Sequence, residues 1–213
     1  MARDLRPLFE PRSVAVVGAS ADPEKWGYWF ARDAAKGTHR RRVFLVGRRG
    51  GELHGLPVHR SLAELPEPPE LVVLSVPARG LEDAVDEALA AGARALVAIA
   101  AGFGELSSDG AVRERAIADR VRAAGAVLVG PNCLGISDAG SELQLASVEF
   151  PAGPLGFLSQ SGNVGLETAL LLEDVGLGYS RFVSVGNQAD VEVTELIGAL
   201  ADHEPTRVIG IYC

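Results

Sequence analysis

Leu155-Gly156-Phe157-Leu158-Ser159-Gln160-Ser161-Gly162-Asn163-Val164-Gly165-Leu166-Glu167 passes from an apolar run, through small polar residues and glycine, into a helical pattern. It reads as strand, tight turn and helix N-terminus, with Leu166, Ala169, Leu170 and Glu173 on one helix face. Such a turn aims backbone N–H groups and the positive end of a helix dipole at one point, which is what an anion site requires. Gly162 and Gly165 let the backbone approach a phosphate closely. Val14-Ala15-Val16-Val17-Gly18-Ala19-Ser20 repeats the arrangement near the start of the chain. Two phosphate cradles in one chain point to a phosphorylated ligand, a phosphorylated intermediate, or both.

Outward from these turns, strands and helices alternate. Strands are predicted over residues 13–17, 42–46, 71–76, 95–100 and 126–129, with a short one at 57–59. Helices are predicted over 26–36, 80–91 and 108–124, the last closed by Gly125. A brief helix over 61–65 starts at Ser61, with Glu64 at the capping-box position. Continuous apolar strands linked by helices predict an α/β fold, a doubly wound parallel sheet covered on both faces. In such sheets ligands sit beyond the carboxyl ends of the strands. Gly18-Ala19-Ser20, Gly47, Pro77-Ala78, Gly102 and Pro131-Asn132 all fall there. Residues 137–153 hold Gly140, Pro151 and Gly153 and read as a linker between domains. A second series follows: strand 156–158, helix 163–175, strand 179–185, helix 191–201 and strand 207–212. It stops short of a complete doubly wound sheet, so the second domain reads as truncated. The expected division is therefore 1–136, a linker over 137–153, and a partial domain over 154–213.

A formal charge of −8 argues against nucleic acid and anionic membranes as partners, so an anionic ligand must be met by local N–H groups and individual cations. Cys133 and Cys213 are too few and too separated for a disulfide framework or a zinc site. Met1-Ala2-Arg3-Asp4-Leu5-Arg6 runs into Pro7 rather than an apolar signal core, and no apolar run approaches the ~20 residues of a spanning helix. A cytoplasmic protein is expected.

The first turn lacks the full G-x-G-x-x-G of dinucleotide-binding enzymes, and no acidic residue ends the second strand. Gly47-Arg48-Arg49 stands there instead, which weakens a nicotinamide-oxidoreductase reading and suits a ribose phosphate, as in NADP or the 3′-phosphate of coenzyme A. Equally open at this point is a solvated rim made of Arg40, Arg41, Arg42, Arg48 and Arg49. Lys25 can reach a phosphate or stay solvated. Asn132 can offer its amide to a ligand or make an Asx turn. Cys133 has no nearby histidine to activate it and reads as a small buried residue. His39, His54, His59 and His203 all read as surface residues, and Ser161 is not in a G-x-S-x-G elbow.

Five blocks carry a resemblance. They are Val16-Val17-Gly18-Ala19-Ser20, Gly102-Phe103-Gly104-Glu105, Gly130-Pro131-Asn132-Cys133-Leu134-Gly135, Ser159-Gln160-Ser161-Gly162 and Val185-Gly186-Asn187-Gln188-Ala189-Asp190. In this order and spacing the chain resembles the NDP-forming acyl-CoA synthetases, that is, the ADP-forming acetyl-CoA synthetases and the succinyl-CoA synthetase alpha subunits. The resemblance implies a CoA-binding Rossmann-like domain followed by part of a flavodoxin-like ligase domain. It implies synthesis of an acyl-CoA from an acid, CoA and ATP or GTP, through an acyl phosphate and a phosphohistidine. Coenzyme A contacts would fall at Gly18, Ala19, Ser20, Lys25, Arg48, Arg49, Val76, Pro77, Ala78, Ala101, Gly102 and Asn132, and phosphate contacts at Ser161 and Gly162. ATP and Mg would be met by an ATP-grasp domain or subunit, in a homo- or hetero-oligomer. Gly47-Arg48-Arg49 departs from the Asn-Pro-Lys usual in the family while keeping its positive charge. The resemblance also implies a phosphorylated histidine beyond residue 213, which none of the four histidines matches, so the fragment alone is expected to be inactive. The alternative is a non-catalytic CoA- or ligand-binding regulatory module of a synthetase-like protein, such as one fused to a GNAT protein acetyltransferase.

Overall fold

A run of apolar residues in a strand has to be covered on both faces, and the central strands of the first half of the chain carry such runs. The computed structural model describes residues 3–146 and 148–213. A short helix, α1 (Arg6–Phe9), precedes β1 (Ser13–Val17), whose five residues are all buried. Next come α2 (Trp26–Lys36), β2 (Arg42–Val46), the hairpin β3 (Gly51–Leu53) and β4 (Leu56–His59), and β5 (Leu71–Leu74). Then α3 (Leu81–Ala90), β6 (Ala95–Ala98), α4 (Ser108–Ala123) and β7 (Val127–Val129) complete the first sheet. Its order is β3-β4-β2-β1-β5-β6-β7, parallel except for β3 against β4. Leaving β3 aside, the chain order across the sheet is 3-2-1-4-5-6, which places the topological switch point between β1 and β5. The strand pleat divides the core: Ala15 and Val17 face Leu81, Val85, Ile117 and Val121 of α3 and α4, while Val14 and Val16 join Phe30 of α2.

The second sheet comprises β8 (Ile136–Asp138), β9 (Leu143–Leu145), β10 (Ala152–Ser159), β11 (Tyr179–Ser184) and β12 (Val208–Tyr212), in the order β12-β10-β11-β8-β9. Helix α5 (Gly162–Asp174) joins β10 to β11, and α6 (Val193–Ala201) joins β11 to β12. Residues 137–153, expected as a linker, instead supply the antiparallel hairpin β8–β9 and the start of β10. These strands are three residues each, too short for periodicity to register, and their partner is distant in sequence. Leu158, Val183, Val185, Leu196 and Leu200 of the second unit share one core with Val14, Phe30 and Val129 of the first. On the other face, α5 covers Phe150, Phe157, Tyr179 and Phe182, with Phe157 and Tyr179 stacked at 5.6 Å. A Cβ on Gly165 would enter the Phe182 ring, which explains the glycine there.

Three local expectations need correction. Ser61 makes no side-chain cap on the short 3-10 turn Leu62–Glu64: the Glu64 N–H donates to the Ser61 carbonyl at 3.3 Å, and the Glu64 carboxylate accepts the Arg60 N–H at 2.8 Å. Leu170 does not share the buried face of α5: Gly165 and Ala169 face the core, while Leu170 is 64% exposed. His203 is not a surface residue. Its side chain is only 9% exposed, 3.7 Å from Asp138 and 2.9 Å from the Thr206 hydroxyl.

Candidate functional site

Of the loops that leave the carboxyl end of the first sheet, the five after β1, β2, β5, β6 and β7 are tied together by close backbone contacts. Gly18 has φ +93°, and a Cβ there would run into the carbonyl oxygen of Ser75, so only glycine brings the loops after β1 and β5 together at the switch point. A Cβ on Gly47 would come within 2.7 Å of the Ala19 carbonyl oxygen, which joins the loop after β2. Gly102 (φ +111°) sets the loop after β6 against Ala78, with 3.3 Å between its Cβ position and that of Ala78. Asn132, in left-handed geometry at φ 57°, donates its N–H to Ala100 at 2.8 Å and so attaches the loop after β7. Gly18, Ala19, Ser20, Val76, Pro77, Ala78, Ala101, Gly102 and Asn132 thus belong to one continuous rim.

The donors in this rim are not those that the sequence suggests first. The N–H groups of Gly18 and Ala19 both donate to Val46 O, at 2.9 and 3.0 Å. Those of Ser20 and Ala21 make no hydrogen bond among the described residues, and neither do those of Trp26 and Gly27 in the first turn of α2. They are the groups left for an anion. The Ser20 hydroxyl accepts the Asp22 N–H at 3.1 Å, and Lys25 pairs with Asp22 at 3.2 Å. The Glu24 N–H, then Lys25 and the more distant Arg49 hold the Asp22 carboxyl below its usual range. Arg48 and Arg49 are exposed and make no ion pair among the described residues, so both are available to a ligand.

A polar network behind the rim went unread in the sequence. Glu105 accepts the N–H groups of Gly102 and Phe103, the latter at 3.1 Å. Asn187 donates to Glu105 at 2.6 Å and to Glu114 at 2.7 Å, and it accepts from Asn132 at 3.2 Å. Burial pushes the Glu105 carboxyl up, but its hydrogen bonds from Gly102, Asn187 and Phe103 outweigh this and hold it below the usual range. Asn187 belongs to the second unit, whose loop also donates Asn187 N–H to Pro131 at 2.9 Å and Ala189 N–H to Gly130 at 3.1 Å. The signal lay in two of the quoted blocks, Gly102–Glu105 and Val185–Asp190, but nothing in either names the other as its partner.

The second cradle follows β10. Ser161 caps α5, its hydroxyl accepting the Val164 N–H at 3.4 Å, while the Ser159 hydroxyl donates to Ser161 O at 2.6 Å. Gly162 is pressed on Leu134, with a Cβ position 2.8 Å from the leucine Cβ. The N–H groups of Gly162 and Asn163 make no hydrogen bond among the described residues, as an anion site at a helix N-terminus needs. No histidine reaches this cradle: His39 pairs with Glu142, His203 lies beside Asp138, and His54 and His59 pack on Tyr28 and Phe44. Cys133 is buried, donates to Ala98 O at 3.2 Å, and has its thiol pushed up to about 12 by burial, so it is no nucleophile at neutral pH. The two cradles offer unpaired backbone N–H groups to an anion and, among the described residues, no histidine.

Comparison with known proteins identifies the family. Residues 12–139 match the family described as CoA binding domain, and residues 152–213 match the succinyl-CoA ligase like flavodoxin domain. The chain is 32% identical over 206 residues to the acetate–CoA ligase (ADP-forming) II subunit alpha of Pyrococcus furiosus, covering 96% of this chain and 45% of that one. It is 34% identical to the isoform I subunit alpha of the same organism, covering 98% and 46%. In three dimensions it superposes on the dinucleotide-forming acetyl-coenzyme A synthetase 1 of Ca. Korarchaeum cryptofilum, solved with phosphate and ADP. The TM-score is 0.93 at 31% identity, over 99% of this chain and 45% of that one. The chain thus spans about half the length of the relatives that it matches. With its family model covering the whole first sheet and its five carboxyl-end loops, the chain belongs to the CoA binding domain family, followed by a stretch of the succinyl-CoA ligase like flavodoxin domain.

Proposed function

We propose that this chain is the CoA-binding portion of an ADP-forming acyl-CoA synthetase, an acid–CoA ligase that converts an acid, CoA and ATP into acyl-CoA, ADP and phosphate. The observation that carries this reading is the five-loop rim at the switch point of the first sheet, drawn together by Gly18, Gly47 and Gly102 beside the N–H groups of Ser20 and Ala21, which make no hydrogen bond among the described residues. In this reading residues 1–136 bind CoA and 154–213 are part of the ligase domain. The free N–H groups of Ser20 and Ala21, with Lys25, hold the pyrophosphate of CoA. Arg48 and Arg49 meet its 3′-phosphate, while Val76, Pro77, Ala78, Ala101, Gly102 and Asn132 line the path of the remainder. Ser161 and Gly162 hold the phosphoryl group of a phosphohistidine supplied from outside the described residues, between formation of the acyl phosphate and return of phosphate to the nucleotide. ATP and Mg bind an ATP-grasp domain or subunit, and the protein acts in the cytoplasm. Acetate, the acid named for the relatives, is the first substrate to try.

The distance of all four histidines from the Ser161 cradle also suits the second reading, a regulatory CoA-binding module without chemistry of its own. The first reading requires CoA at the first site; the second admits CoA or another ligand there. Calorimetric titration of this chain with CoA and, separately, NAD tests that requirement. CoA is expected to bind and NAD to give no heat; tight NAD binding with no response to CoA rejects the assignment.

A further inference from the structure

The arginines that stand together in the sequence as one basic rim are divided by the fold. Arg48 and Arg49 follow the carboxyl end of β2, at the five-loop site, whereas Arg40, Arg41 and Arg42 stand at its amino end. There they meet Arg12, which precedes β1, and His39. Together these side chains border a shallow, open cleft of about 550 Å³ with Val43, Phe44 and Leu56 beneath.

The charges in this cleft are under-compensated. Arg41 is 8% exposed, donates to the carbonyl oxygens of Ser141 and Glu142, and makes no ion pair among the described residues. Its Nε is buried with no hydrogen-bond partner. A buried cation served only by carbonyl dipoles is costly, and a buried donor left unmade adds to that cost. The Arg12 guanidinium makes no ion pair or hydrogen bond among the described residues; its backbone N–H donates to Glu70 at 2.8 Å, and its carbonyl accepts the Arg42 N–H at 3.1 Å. Arg42 pairs with Glu67, while Arg40 and His39 share Glu142. Among the described residues Glu67 and Glu142 are the carboxylates paired with this cluster; Asp138 also lies near Arg41, and Glu70 near Arg12, but neither of those guanidiniums has an ion-pair partner.

We propose that this cleft is a second anion site, separate from the five-loop site, and that it binds the oligophosphate group of a small molecule. Guanidinium forks match phosphate oxygens in pairs, and a compact group of several negative charges is what a concave cluster of arginines recognises. A volume of about 550 Å³ also fits a ligand of nucleotide size. Free oligophosphate and a nucleotide share this chemistry. They differ in whether the apolar floor is used. The proposal does not depend on CoA occupying the first site.

The test is calorimetry of the chain with inorganic pyrophosphate and with ADP, each in the presence and absence of saturating CoA, and with R12Q/R40Q. Both positions are accessible enough to change without emptying the core, and an unchanged circular-dichroism spectrum and melting curve verify folding. Pyrophosphate is expected to bind with or without CoA, and R12Q/R40Q to weaken it about tenfold or more, roughly 1.4 kcal/mol. CoA affinity in that variant is expected to stay unchanged if CoA binds at all. ADP binding more tightly than pyrophosphate identifies a nucleotide as the ligand; equal affinity identifies free oligophosphate. The proposal fails if pyrophosphate gives no heat, if CoA displaces it, or if the variant binds it as well as the parent does.

Discussion

Asp190 is fully buried, and both its oxygens are used. One meets Arg3 and Arg122, each at 2.7 Å, and the other accepts the Leu128 N–H at 2.8 Å. It therefore fastens the loop after β11 to the start of the chain, to α4 and to β7 at once. Arg3 and Arg122 are partly solvated and keep Glu195 and Asp119, but the buried Leu128 N–H would lose its acceptor, so Asp190→Ala is expected to cost about 1–3 kcal/mol in urea unfolding. A loss under 1 kcal/mol would show that the cluster is solvated. His203 makes a pH-dependent contribution. Burial first, then the neighbouring Arg181 charge, lowers its pKa below the ordinary histidine value, so the folded chain favours the neutral ring. That stability is complete above pH ~6.5 and is lost as the pH falls through the lowered value, where folding must hold a ring that the unfolded chain protonates. His203→Gln is expected to flatten the fall in urea midpoint between neutral pH and about pH 5; an unchanged slope assigns the titration elsewhere. At the proposed ligand site, Arg48→Ala with Arg49→Ala is expected to weaken CoA roughly tenfold, with dephospho-CoA little affected. Equal losses for both ligands would remove these arginines from the 3′-phosphate.

At the scale of elements, glycines decide how closely helices and turns sit on their strands. Gly165 brings α5 onto the Phe182 ring, and Tyr179 donates its hydroxyl to the Gly165 carbonyl at 2.8 Å. Gly165→Ala adds one methyl where none fits and is expected to destabilise the fold by about 1–3 kcal/mol in thermal or urea unfolding. No measurable change would mean that α5 rides further from β10 and β11. Long elements were legible for the reason that they are long. The apolar runs of β1, β5 and β6 and the periodic faces of α2, α3 and α4 each repeat their signal several times. Pairing that depends on distant partners was not legible. The β8–β9 hairpin takes its place because Asp138 opposes Arg181 across the sheet, where the two form a buried ion pair. The rim residues were legible as turn chemistry at strand ends. The Asn132–Asn187–Glu105 network was not, because its members are brought together only when the second unit docks.

Across the whole molecule, the two units share a core, and the loop after β11 is hydrogen-bonded to the loop after β7. The two cradles are therefore held in a fixed relation through residues 128–135, with Leu134 pressed on Gly162 on one side and Asn132 in the rim on the other. This coupling predicts that a ligand in the first site stiffens the loop that carries Asn187. CoA lying across the five carboxyl-end loops of the first sheet, as proposed, can be read by hydrogen–deuterium exchange with saturating CoA. Protection is expected at residues 18–21, 47–49, 76–78, 101–105 and 130–132, with a smaller effect at 186–189 and none at the amino ends of the strands. Unchanged exchange in those five loops, or protection confined to the opposite edge of the sheet, would contradict it.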